Sequence, residues 1–259
     1  MLNCKKLVVF FVVVLVVCNY YMFFCKAKRK CAIIIYGLNR AITKTHQSIE
    51  KYILNVLREN NIRYDIFIHT YKLDTLYSNA HNDENPINVD YKEMYILNPY
   101  KMEVDDQNEV DKDHDHYVEY TKCVTGGNIN IVKNYTRALF SLNKAFNMVD
   151  KNNYDGCLIM RPDQLFTEPL NVNHLTDAFD NNKVYTPSNN EHGGLNDRFA
   201  FGSFEKITKY ATRYNLFLNH LKSKAFNNAE RWLKELYPSV KKTQFHFIRV
   251  RTNGAHAIG

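Results

Sequence analysis

The 259-residue chain lacks every short motif that would assign its chemistry directly. It contains no G-x-S-x-G elbow, no Walker loop, no H-E-x-x-H and no G-x-G-x-x-G. Serine hydrolases, P-loop nucleotidases, zincins and dinucleotide-dependent enzymes thereby lose their usual support. Cysteine is sparse where it would matter. Four of the six cysteines (Cys4, Cys18, Cys25, Cys31) fall at the amino-terminal end, leaving only Cys123 and Cys157 deeper in the chain. That distribution excludes a disulfide framework. Cys157, inside an apolar run, reads as a buried thiol, and Cys25 sits where palmitoylation is feasible. There is no internal repeat and no low-complexity segment.

One long apolar run is present. Residues 7–24, LVVFFVVVLVVCNYYMFF, carry no charge. As a helix rising about 1.5 Å per residue the run reaches about 27 Å, close to the hydrocarbon core of about 30 Å. Tyr20 and Tyr21 suit a membrane interface, and KAKRK (26–30) suits the phosphate layer. The run is long for a signal peptide and no small-x-small cleavage site follows. Residues 1–30 are therefore expected to be an uncleaved single-pass anchor with a basic flank, and residues 31–259 a single α/β domain. Lys5 and Lys6 precede the span while Lys26, Lys28, Arg29 and Lys30 follow it, a balance that favours a cytosolic globular part, with a luminal one left open.

The anchor accounts for most of the excess charge. The chain carries +7 in all, and those six bases precede residue 31 without an acid among them. The remainder is nearly neutral, which argues against nucleic acid as a partner. Charge within it is polarised: residues 90–119 hold ten acids against three lysines, and residues 204–251 hold eleven Lys and Arg against three acids. Such halves either pair with each other or face different partners.

Periodicity supplies an alternating order of elements. CAIIIYG (31–37), YDIFIHTY (64–71), EMYILNPY (93–100), YDGCLIMRPD (154–163), KVYTPS (183–188) and QFHFIRVRTN (244–253) read as strands. Helical stripes run through 38–61, 129–153, 204–221 and 227–238. The acidic stretch after residue 100 reads as a surface loop with a short helix. Alternation of this kind predicts an α/β domain with a mostly parallel central sheet flanked by helices.

In open α/β sheets, ligands bind beyond the carboxyl ends of the strands. That rule singles out Gly37–Arg40, His69–Tyr71, Arg161–Asp163 and Pro187–Asn190. Pro162 ends its strand and sends Arg161 and Asp163 out of the sheet together. The carboxylate could hold a divalent cation and the guanidinium a phosphate; equally, the two could form an ion pair capping the strand. Asp197 follows Gly193 and Gly194, and suits a general base or an acceptor contact as well as a loop hydrogen bond. Arg198 could pair with it. Glu230 beside Trp232 suits sugar stacking, although a tryptophan at helical spacing is more often core. His114 and His116 alternate with acids in DKDHDHY, where a metal is conceivable.

MRPDQLFTEPL (160–170), YGLNRAITKTHQSIEKYIL (36–54) with YDIFIHTY, and NDRFAFGSFEKITKYATRY (196–214) resemble segments of GT-A-type glycosyltransferases. The likeness is to WavE-like lipopolysaccharide-synthesis proteins and to glycosyltransferase-like proteins of large DNA viruses, and it spans most of residues 31–259. It implies a Rossmann-like GT-A fold and a hexosyl- or related transferase. A nucleotide-sugar donor and a glycan, lipid or protein acceptor would follow. On that resemblance Gly37, Arg40, His69, Thr70 and Arg161 face the donor, Asp163 and His246 contact a metal, and Asp163 and Asp197 are catalytic; taken by themselves, His69 reads rather as a buried, satisfied histidine and His246 as a core or edge one. Arg198, Glu230 and Trp232 would face the acceptor. The family's D-x-D is here Arg161-Pro162-Asp163, so an Mn²⁺ or Mg²⁺ cofactor loses one of its two acids. An arginine there could itself neutralise leaving-group charge. Two rivals stand beside this reading: a sulfotransferase using GLNRAITKT (37–45) for its anionic donor, and a non-catalytic glycan-binding protein.

Overall fold

The computed structural model describes residues 29–77, 86–113, 129–223 and 228–257. The expected anchor at 7–24 and the pair His114 and His116 lie outside them. Among the described residues no helix is long and apolar enough to cross a membrane.

A seven-stranded sheet forms the centre. Its strands are β1 (Lys30–Tyr36), β2 (Arg63–Lys72), β3 (Lys101–Asp106), β4 (Gly156–Met160), β6 (Val184–Pro187), β7 (Ala200–Gly202) and β8 (Lys241–Thr243). Their order is β3-β2-β1-β4-β7-β6-β8. All neighbouring pairs are parallel except the two made by β7. The α/β class and mostly parallel sheet are as the sequence indicated. A second, antiparallel sheet joins β5 (Gln164–Phe166), β9 (Phe247–Val250) and β10 (His256–Ala257).

β1 shows why the sheet is central. Its isoleucines are fully buried on both faces, as expected of a strand covered by helices on either side. Cys31, Ile33 and Ile35 face α1, while Ala32, Ile34 and Tyr36 face the opposite layer, following the two-residue pleat. Helix α1 runs Ile42–Ile49, passes through a π-turn at Glu50–Leu54 and ends at Asn55–Glu59. Ile42, Ile49, Ile53 and Leu57 form its buried stripe. The other layer is α3 (Ile129–Asn147) with α5 (Phe204–Ala211), α6 (Tyr214–Ser223) and α7 (Ala229–Leu236). Leu142, Phe146, Ile207 and Leu233 fill it.

Several boundaries differ from expectation. Residues 93–100 are not a strand: Tyr91–Leu97 is a 3-10 turn capped by the Asp90 carboxylate and closed by Asn98 in the left-handed region (φ 48°). The strand is the next segment, β3, which the sequence pattern assigned to loop. It lies at the sheet edge, where only one side pairs and charged residues are tolerated. A short helix, α2 (Gln107–Lys112), does follow. Helix α4 (Val172–Asp180), capped by Asn171, was not anticipated. The last predicted strand shortens to β9 and belongs to the small sheet. Of the acidic segment, Asp105, Asp106 and Asp111 pair with Lys144, Lys72 and Arg137. Asn134-Tyr135-Thr136, which matches the N-glycosylation pattern N-x-[ST], lies within α3 with Thr136 buried, a poor geometry for modification.

Candidate functional site

Strand order reverses between β1 and β4: β1 leads to β2 and β3 on one side, and β4 opens the other. The crevice beyond the carboxyl ends of these two strands is the switch point of the sheet. Arg40 arrives there four residues after β1, and Arg161 and Asp163 leave β4 directly into it. The loop carrying Arg40 is fixed from both ends. Gly37 takes φ +99°, a conformation other residues resist, and its N–H donates to Ser141 Oγ at 2.8 Å. Asn39 Oδ1 accepts the Ile42 N–H at 3.2 Å, opening α1. Thr45 Oγ1 donates to the Pro162 carbonyl at 2.6 Å, tying this helix to the turn that holds Asp163.

Asp163 is 1% exposed and surrounded by guanidinium groups. Arg40 Nη2 donates to its Oδ2. Arg161 makes a forked contact, Nε to Oδ1 at 3.0 Å and Nη2 to Oδ2 at 3.2 Å. Arg249, from β9, brings its Nε to 3.9 Å from Oδ2. Register explains this last approach, since β9 pairs Arg249 with Gln164 and the Val250 N–H donates to the Asp163 carbonyl at 2.9 Å. Burial would raise the Asp163 pKa, but Arg161, Arg40 and Arg249 hold it well below the usual carboxylate range. Arg249 is pushed the other way: burial first, then the neighbouring Arg161, Arg40 and Arg198, lower its pKa against the pull of Asp163. Its Nε is buried without a hydrogen-bond acceptor among the described residues.

A second group lies close enough to act on the first electrostatically. Arg198 Nη2 donates to Glu230 Oε1 at 2.9 Å, and its Nη1 lies 3.5 Å from Asp197 Oδ1. Neither of the last two atoms has a hydrogen-bond partner among the described residues. Burial and the nearby Asp197 raise the Glu230 pKa, with Arg198 opposing. The loop is held firmly: Asn196 Oδ1 accepts the N–H groups of Arg198 and Phe199, and the Asp197 carbonyl accepts from Tyr36 Oη and Arg213 Nη2, both at 3.1 Å. Gly194 lets the loop lie on α7, because a Cβ there would sit 1.9 Å from the Glu230 carbonyl oxygen.

The structure thus brings Gly37, Arg40, Arg161, Asp163, Asp197, Arg198 and Glu230 to one end of the sheet. The expectations for His69, Thr70, Trp232, His246 and a metal on Asp163 are corrected. His69 is fully buried, its Nδ1 2.8 Å from Ser141 Oγ and its Nε2 3.1 Å from Asp105 Oδ2, so both ring nitrogens are engaged inside the fold. Its neighbour Thr70 is equally buried, with Oγ1 unpartnered among the described residues. Trp232 is 3% exposed and packs on Phe217 and Tyr135 at ring distances of 5.2 and 6.1 Å, a core residue. His246 precedes β9 at the end away from Arg249, roughly 10 Å along the strand, and its ring pairs with Glu168 on the surface. It cannot join Asp163 in a shared metal site. Asp163 itself does not fit a divalent cation, since guanidinium groups already occupy its oxygens and would repel a second positive charge. Among the described residues no group of three or more His, Cys, Asp or Glu is placed to hold a metal.

Arg249 was missed in the sequence. Its only signal was a basic residue in a late strand, and nothing in spacing links it to position 163. A groove of about 730 Å³ also lies at the opposite, amino-terminal end of the sheet, lined by Glu50, Arg58, Tyr64, Ile96 and Tyr100 among others. It is remote from these clusters.

No protein-family model matches the sequence, and no curated protein matches it. A solved structure of mouse xyloside xylosyltransferase 1, in its apo form, is similar over 83% of this chain and 84% of that one, at 9% identity and a TM-score of 0.39. A likeness of that size says nothing about what this chain binds.

Proposed function

We propose that this chain is a glycosyltransferase that moves a sugar from a nucleotide-sugar donor to a glycan, lipid or protein acceptor, held at a membrane by residues 7–24. The observation that carries the reading is the guanidinium-rich crevice at the β1–β4 switch point, where three arginines converge on one buried carboxylate. A crevice with that excess of positive charge suits a diphosphate. In the reaction the bond between the sugar C1 and the β-phosphate oxygen breaks, and its electron pair leaves with the nucleoside diphosphate. The acceptor oxygen bonds to C1, and its proton passes to the Asp197 carboxylate, whose Oδ1 is unpartnered among the described residues. Arg198 stands between Asp197 and Glu230 and would orient the two carboxylates toward the acceptor.

The sulfotransferase alternative fits less well. In the loop it would use, Lys44 Nζ donates to the Thr252 carbonyl at 2.6 Å and Thr45 to Pro162, while Arg40 is bound to Asp163. The Gly37 N–H is likewise engaged. Few donors there remain for an anionic donor.

The test is nucleotide release by the full chain in detergent across UDP- and GDP-sugars, with CMP-sugars as the monophosphate comparison, beside an Asp163→Asn variant. Release from one donor, lost in the variant, is the expected outcome. Silence across the panel from folded protein, with glycan binding retained, would replace the enzyme by a binding protein.

A further inference from the structure

Resting on the glycosyltransferase reading, we propose that Arg249 and Arg161 bind the donor's diphosphate directly and that no divalent cation takes part. Asp163 is then a positioning residue: the internal counter-ion that gathers the arginines, rather than a metal ligand.

The charge count leads there. One carboxylate faces Arg40, Arg161 and Arg249, leaving two positive charges in excess. That excess matches the two negative charges of a nucleotide sugar's diphosphate, the same balance a divalent cation would supply. The three arginines are not equivalent. Arg40 is the most buried, at 9% side-chain exposure, and is engaged by Asp163 and by the Tyr77 hydroxyl at 3.4 Å, so it anchors the cluster from below. Arg161 and Arg249 are 20% and 19% exposed, partly open to a ligand. Arg249 carries the clearest unmet demand, a buried Nε that stands beyond hydrogen-bond distance of Asp163. A buried donor crowded by like charges gains on both counts when an anion arrives. During transfer, the charge left on the departing β-phosphate oxygen falls on guanidinium groups already fixed by β4 and β9, with no reorganisation needed.

The experiment is calorimetric titration of the full chain in detergent with UDP, GDP and inorganic pyrophosphate, in EDTA and again with Mn²⁺ or Mg²⁺. Arg249→Met and Arg249→Lys are titrated alongside, with melting temperatures to verify folding. Binding in EDTA is expected, within about two-fold of that with metal. It should weaken by at least about ten-fold in Arg249→Met, with part regained in Arg249→Lys. Each ten-fold step corresponds to about 1.4 kcal/mol. Binding that requires the cation, or that survives Arg249→Met unchanged, overturns the inference while leaving the glycosyltransferase reading standing. Pyrophosphate bound in EDTA and lost in Arg249→Met, without binding of either nucleotide, keeps the metal-free anion site and removes the transferase reading. No binding of any probe, with or without metal, removes both.

Discussion

Asp163 and Glu230 are both buried carboxylates held by arginine, and their surroundings drive them in opposite directions. Three guanidinium groups converge on Asp163, so its charge is strongly favoured and the group as a whole remains positive. Around Glu230 the ratio inverts: one guanidinium, Arg198, serves both Glu230 and Asp197, and burial, with the spare negative charge adding to it, raises the Glu230 pKa. The ionisable group, a buried carboxylate, is the same in the two places. The count of neighbours of each sign decides that one collects anions and the other is inclined to take up protons.

The sharpest way to break this contrast is to neutralise Asp163. Asp163→Asn leaves Arg40 and Arg161 without their buried partner and should lose about 3–5 kcal/mol of stability at pH 7. A carboxylate whose folded pKa is depressed contributes stability above its unfolded value, near 3.9, and loses that contribution as pH falls further. The gap between native protein and variant, read by urea denaturation, should therefore be widest at neutral pH and narrow below about pH 4. A gap independent of pH would mean that the Asp163 charge does not hold the cluster.

Arg198→Met tests the other side. It leaves Asp197 and Glu230 facing each other without a shared cation and should destabilise by about 2–3 kcal/mol at pH 7. Here too the deficit shrinks on acidification, but in a higher pH window. With its pKa raised further, Glu230 takes up a proton early as pH falls, so the deficit should shrink between neutrality and about pH 4.5 rather than below it. Comparing the two variants' denaturation curves across pH separates the two environments directly.

Smaller effects refine the picture. Glu230→Gln removes the charge that its site disfavours, so stability at pH 7 should stay within about 1 kcal/mol of native. Any gain should fade on acidification, when the native glutamate is itself protonated; a large loss at pH 7 would show that its pairing with Arg198 outweighs repulsion by Asp197. His246→Ala breaks only an exposed pair with Glu168, worth about 0–1 kcal/mol, and should leave nucleotide-sugar turnover unchanged, in EDTA as with Mn²⁺. A clear fall in turnover in that variant, with folding intact, would return His246 to the site.

How much could be read beforehand follows from how each feature is encoded. The unbroken apolar run at 31–36 marks a strand buried on both faces, the stripe Val132, Leu139, Leu142, Phe146 repeats at the helix period, and both elements formed. Pro162 marked the end of its strand, and the strand-end rule placed Arg40, Arg161 and Asp163 together. β3 was misplaced because an edge strand need not be apolar, so its charged residues looked like loop. His69 stood at a strand end as a ligand should, yet its side chain points into the layer of α3, a direction set by pleat parity against a helix that begins sixty residues later.

The sequence by itself determined the alternation of elements, the apolar centre of the sheet and the punctuation of its strands, because each is written in residues near one another. Tertiary structure alone decided that Arg40 and Arg249 join Arg161 on Asp163. Arg40 lies 123 positions before it, and Arg249 arrives from a small antiparallel sheet that no local pattern announces. Charged side chains at strand ends have no period to betray their neighbours. Only the folded register brings those guanidinium groups to one carboxylate, and with that excess of positive charge comes the case for a phosphate site.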